Sequence, residues 1–134
     1  MPSRMPTWRI PKDIASIVEE EEMWEDDAWA PLQLTVLGGT SYKGRDIPLS
    51  WQIEFEPSAE EFQEANGRLV SLGLDPDGYG WAKLIDAAVR KHHPEISDEL
   101  QFGDTEESAC VVWVESEATC KTLMQVVWNL CSSK

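Results

Sequence analysis

Positive charge is scarce in this chain. Eleven Lys and Arg stand against 25 Asp and Glu in 134 residues, a formal net charge of -14 at pH 7. Such a surface repels phosphate backbones and anionic bilayers, which excludes nucleic acid and membrane as electrostatic partners and favours a basic one. The same acidity also serves plain solubility. Long apolar runs are missing too: no stretch approaches the roughly 18 residues of a membrane span. The opening MPSRMPTWRIPKD lacks the apolar centre of a signal peptide, so a cytoplasmic protein is expected. Cysteine is sparse and odd in number. Cys110, Cys120 and Cys131 fit no zinc-ligand spacing, and reduced, buried thiols are expected. The two histidines, His92 and His93, are adjacent, so on a helix they diverge and cannot clamp one metal. There is no phosphate loop, no G-x-S-x-G and no H-E-x-x-H. The expectation is a protein that is not an enzyme and carries no metal or cofactor.

What the chain does have is apolar patterning sufficient for a core, with 42% hydrophobic residues in a length that suits one domain. Residues 1–30 read as an acidic arm. Prolines at 2, 6 and 11 keep its start extended, and Asp13 opens a short helix, DIASIVEEEEMW, with Ile14, Ile17 and Val18 on one face. That helix runs into Glu19, Glu20, Glu21, Glu22, Glu25, Asp26 and Asp27, interrupted by Met23 and Trp24 and followed by Trp29. The two tryptophans have two readings: docking residues beside the carboxylates, or pins that hold the arm against the domain.

Residues 31–134 read as one domain. Leu32, Leu34 and Val36 alternate as a strand that Gly38-Gly39 ends, and 38–46 is expected to be a loop. In the next strand Ile47, Leu49, Trp51, Ile53 and Phe55 form one face, and Pro48, Ser50, Gln52, Glu54 and Glu56 the other. Ser58 and Glu61 have capping-box spacing ahead of a helix with Phe62, Ala65, Leu69 and Leu72 inward, Gly67 inside it and Gly73 closing it. The clearest element follows. Trp81, Leu84, Ile85, Ala88 and Val89 make a helical stripe, Arg90 to His93 suit the negative helix end, and Pro94 stops it. Its leading turn, Asp75 to Gly80, matches a calcium loop only in part, with Asp86 where a bidentate Glu is normal. Asp75 and Asp77 as turn formers are the better account. A helical turn over 95–100 leads to a hairpin of Gln101-Phe102 with 109–114. The second strand of that hairpin is apolar on both faces and therefore expected to be central. Ser116 caps a last helix. Trp51, Trp81 and Trp113 are expected in the core. The order of elements gives an α+β fold: an antiparallel sheet of about four strands with helices packed on one face.

From Trp51 through Asn129, the helix EEFQEANGRLVSLGL, the Gly78-Tyr79-Gly80-Trp81 turn, the helix reaching Pro94-Glu95, then Leu100, Phe102, a small acidic hairpin, an apolar strand and a helix resemble the immunity protein 51 family of bacterial polymorphic toxin systems. The resemblance implies a small cytoplasmic α+β protein that binds and neutralises a cognate toxin domain. It assigns no contact residues. Charge and exposure select them instead: Glu19, Glu20, Glu21, Glu22, Trp24, Glu25, Asp26, Asp27 and Trp29 on the arm, with Gln52, Glu54 and Glu56 on the polar strand face. The partner would be a basic protein toxin, a nuclease being one kind that the charge suits. The alternative is an adaptor or chaperone-like protein of a secretion system.

Overall fold

The computed structural model describes residues 4–132. Helix α1 (Ile14–Glu21) leads to strand β1 (Met23–Asp26), a 3-10 turn (Asp27–Trp29), strands β2 (Gln33–Tyr42) and β3 (Arg45–Phe55), a second 3-10 turn (Glu60–Phe62), helices α2 (Gln63–Ser71) and α3 (Gly78–His92), a third 3-10 turn (Pro94–Glu99), strand β4 (Cys110–Val114) and helix α4 (Glu117–Ser132). The strands form one antiparallel sheet in the order β1-β2-β3-β4. Leu34, Val36, Ile53 and Val112 point to one side of it, where they share a core with Val18, Leu69, Ile85 and Leu123 of the helices. The fold is α+β with its helices on one face.

The acidic stretch departs from the helix expected through Trp24. Helix α1 ends at Glu21, Glu22 takes a left-handed conformation (φ 73°), and Met23–Asp26 becomes an edge strand facing 34–37 of β2. The alternation of exposed Met23 and Glu25 with half-buried Trp24 and Asp26 is a strand period that local charge had masked. The loop expected over 38–46 is instead strand on both sides of a two-residue turn, Lys43-Gly44. Both of those residues have positive φ, as tight hairpins require. Pro48 stands opposite Gly39, where the β2–β3 register shows no pair, which resolves its missing N–H.

Three further expectations change. The capping box at Ser58 does not form. Phe62 is buried against Phe55 at 4.9 Å, and α2 starts only after it. Leu72 is 65% exposed, not inward, because the chain reverses at Gly73 (φ 83°) and Leu74 packs against the core in its place. Strand β4 is buried throughout but lies at the sheet edge rather than at its centre. Its outer side is closed by non-strand groups: Gln101 and Trp113 exchange two backbone hydrogen bonds of 3.0 Å, and the Thr105 hydroxyl both accepts from Val111 N–H (3.1 Å) and donates to its carbonyl (2.8 Å). A strand can thus be apolar on both faces without a strand on both sides, provided its backbone is satisfied.

Helix α3 begins where the sequence marks it. Asp77 accepts a 2.9 Å bond from Gly80 N–H as N-cap. Trp81 is fully buried and stacks edge-on against Phe55 at 5.3 Å. Its indole N–H donates to Asn66 Oδ1 (2.8 Å), and the Asn66 amide donates to the Pro57 carbonyl (2.8 Å), which ties α3 to α2 and to the end of β3. Ser116 caps α4 by accepting from Thr119 N–H at 3.2 Å.

Candidate partner-binding surface

The side of the sheet away from the helices carries Met23 and Glu25 from β1, Gln33, Thr35 and Leu37 from β2, Ser50, Gln52 and Glu54 from β3, and Val111 and Trp113 from β4. Register sets these in rows. Glu25 lies beside Thr35, Thr35 beside Gln52, and Gln52 beside Trp113; Gln33 lies beside Glu54, and Glu54 beside Val111. The pairing thus brings Glu25 of the supposed arm onto the same face as Gln52 and Glu54. Two amide–carboxylate bonds organise the polar side chains: Gln33 Nε2 donates to Glu25 Oε1 (3.0 Å) and Gln52 Nε2 donates to Glu54 Oε1 (3.2 Å). Glu25 and Glu56 are exposed, and Gln52 and Glu54 half-buried. Among the described residues no Lys or Arg occupies an outward position on these strands; Thr35, Ser50, Val111 and Trp113 on this side are buried, so it offers Glu25 and, in part, Glu54 without counter-charge of its own.

A second acidic group sits at the end of α1. Glu19, Glu20, Glu21 and Glu22 are all exposed, they gather at the helix C-terminus, and the last turn holds no basic residue. Carboxylates there oppose the helix dipole, an arrangement that costs stability in the isolated chain. None of the four forms an ion pair among the described residues; Arg45 is engaged with Glu115 in a two-pronged contact (2.8 and 2.6 Å), and Arg90 with Asp86 at 3.0 Å.

Trp24, Asp26 and Trp29 of the expected set lie on the inner side of this segment. Trp29 is a correction: only 1% exposed, it is clasped edge-on between Trp8 at 5.9 Å and Trp128 at 5.8 Å, so it pins the N-terminal segment to α4. Trp24 is half-buried and packs against the core. Asp26 turns its Oδ1 to Ala28 N–H (2.9 Å) and caps the 3-10 turn. An inward acid on a short edge strand also discourages edge-to-edge pairing with another chain. Asp27 remains exposed.

Sequence reasoning missed Gln33, and with it a groove between α1 and the β2–β3 hairpin. Ala15, Val18, Leu37 and Leu49 line this groove, with Glu19 and Glu22 beside them. The only local signal for it was Gly38-Gly39, which also reads as a turn. A Cβ on Gly38 would stand 2.6 Å from Val18 Cγ1, so glycine here is what admits the helix.

The thiols are chemically quiet. Burial pushes Cys110 and Cys131 up to about 12 and raises Cys120 as well. Thiols held protonated in this way are not nucleophiles at neutral pH. No helix among the described residues is long and apolar enough to cross a membrane.

Neither a curated protein nor a solved structure matches the chain. Residues 49–134 match the family described as Immunity protein 51, a span that holds most of β3, the edge strand β4 and helices α2, α3 and α4. With the expected α+β architecture in place and the match extending over more than half of the chain, this protein belongs to the Immunity protein 51 family.

Proposed function

We propose that this protein is a stoichiometric inhibitor that binds a cognate toxin domain in the cytoplasm and holds it inactive by occlusion, without turnover. The observation that carries the reading is the set of carboxylates without counter-ions at the C-terminal end of α1 and on the outward sheet face. Glu19 to Glu22 sit where the helix dipole disfavours them, and a cationic partner removes that cost. The contact set is Glu19, Glu20, Glu21, Glu22, Glu25, Asp27, Gln52, Glu54 and Glu56. A toxin that acts on nucleic acid must itself be basic around its active site, and an acidic surface is steered to that region and then covers it. Close charge pairs in such interfaces couple by about 1.5–7 kcal/mol.

The test uses the purified toxin domain encoded beside this gene. A complex is expected to form at low salt and to weaken as salt rises from roughly 0.1 to 1 M, where the screening length falls from about 10 to about 3 Å. Co-expression is expected to rescue cells from that domain. No complex at low or moderate salt, or a complex without rescue, overturns the reading; altered export of the partner without rescue is what an adaptor gives.

A further inference from the structure

Where α1 crosses the middle of the β2–β3 hairpin, the surface dips into an open groove of ≈ 760 Å³. Its walls come from elements far apart in sequence: Ala15 and Val18 on α1, Gly38 and Gly39 on β2, and Pro48 and Leu49 on β3, with Leu37 also touching it. The groove exists because β1 is short. The last β1–β2 pair is Met23 with Leu37, and beyond Leu37 strand β2 continues to Tyr42 paired to β3 alone. Helix α1 reaches across that uncovered stretch and is allowed close by the absence of a side chain at Gly38. At Gly39 (φ 67°) a Cβ would meet nothing within 4 Å, so the hairpin backbone lies open there.

The groove is apolar with one sign of charge at its edge. Glu19 and Glu22 line it from α1, and none of its lining residues is basic. Met23, 39% exposed, extends the apolar strip towards Glu25 and so joins the groove to the outward sheet face. An aliphatic socket with two carboxylates beside it fits one kind of contact: an apolar side chain carried next to Lys or Arg. A solvent-open apolar groove gains by taking the first, and the carboxylates at the α1 terminus gain by meeting the second.

We propose that this groove is the anchoring socket for the toxin, receiving from it one apolar side chain flanked by lysine or arginine. The inference rests on the immunity reading above and names the point at which recognition becomes specific. The acidic sheet face supplies long-range attraction, which any basic protein feels. The socket supplies a shape-dependent contact that only a chain with the right residue at the right place makes, as interface anchors do.

The experiment measures binding of the adjoining-gene toxin domain to the full-length protein and to variants by calorimetry, with thermal unfolding of each variant as the check on folding. Ala15 is exposed, so Ala15→Trp fills the groove from its rim. It is expected to weaken binding by about 30-fold or more, the scale of an interface hot spot. Ser16→Trp, exposed on the same helix but not lining the groove, is expected to stay within about twofold of wild type. Glu19→Gln with Glu22→Gln is expected to weaken binding by about tenfold and to flatten its salt dependence. If Ala15→Trp fails to fold, Ala15→Arg carries the same test by placing a cation where a cation should dock. A toxin that binds wild type and Ala15→Trp equally overturns the socket and leaves the immunity reading standing. A toxin that does not bind wild type overturns both. A concentration-dependent dimer of the free protein that Ala15→Trp abolishes also overturns the proposal, because the occupant is then a second copy.

Discussion

Asn66 is a polar side chain in a buried place, and both of its amide atoms are committed. It accepts from the Trp81 indole and donates to the Pro57 carbonyl, each at 2.8 Å. Asn66→Ala removes both partners at once and leaves a buried donor and a buried acceptor unmet, at about 1–3 kcal/mol apiece. The midpoint of urea unfolding is therefore expected to fall by an amount equivalent to about 2–6 kcal/mol. Glu64→Gln, at an exposed position two residues earlier, should leave it within about 0.5 kcal/mol of wild type. Equal midpoints for Asn66→Ala and wild type would show that the chain Pro57–Asn66–Trp81 contributes nothing. Sequence inspection placed Trp81 in the core but had no means of finding Asn66, since one asparagine in a helix looks like any other until its neighbours in space are known.

The elements differ in how much of them local sequence controls. Helix α3 has its cap, stripe and stop within one segment, and its start at Asp77 and end at His92 follow from them. The last helix begins behind Ser116 for the same reason. The boundary between α1 and β1, the length of the hairpin and the edge position of β4 depend on which strand lies alongside, and that information is distributed over the chain. The same distinction separates two glycines. Gly67 lies inside α2 with nothing within 4 Å of a added side chain, so it serves no close approach. Gly67→Ala is expected to raise stability by up to about 1 kcal/mol through helix propensity alone. At Gly78, the first residue of α3, a Cβ would overlap the carbonyl oxygens of Glu106 and Ala109. Its own N–H also donates to the Glu107 carbonyl at 2.9 Å. Gly78→Ala is expected to cost at least about 3 kcal/mol or to prevent folding. Chemical denaturation of the two variants, one shifted up and one down, tests both statements; a gain for Gly78→Ala would contradict the packing of α3 on the 106–109 turn.

At the scale of the molecule, the groups whose titration couples to folding and the carboxylates proposed for recognition lie in different places. The core face holds the three thiols, whose titration couples to the whole fold. An unfolded thiol ionises near 9, whereas Cys110 and Cys131 in the folded chain hold their protons up to about 12. The folded pKa is thus the raised one. Its contribution is complete below about pH 9 and is lost as pH climbs towards 12, with a slope of about 1.4 kcal/mol per pH unit for each thiol. Under reducing conditions, urea midpoints should fall steadily from pH 9 upwards, and Cys110→Ala should make that fall shallower. An unchanged slope in the variant would mean that Cys110 is not shielded. The outer face and the end of α1 hold the carboxylates. Their identity was legible in the sequence, and so was the polar face of β3. Their assembly was not: Glu25 joins Gln52 only through the register of β1 on β2, and the groove beside Glu19 and Glu22 arises from the packing of α1 over Gly38.

The clasp of Trp8, Trp29 and Trp128 has an optical consequence. Three indoles in edge-on succession, 5.9 and 5.8 Å apart, lie close enough for their excited states to couple, and they span from the N-terminal segment to the last helix. The near-ultraviolet dichroism of the native protein is then a property of that junction more than of any single ring. Detachment of the segment around Trp8 dims it while the far-ultraviolet spectrum of the helices persists, so the molecule carries its own unlabelled gauge of whether that segment is seated beside α4.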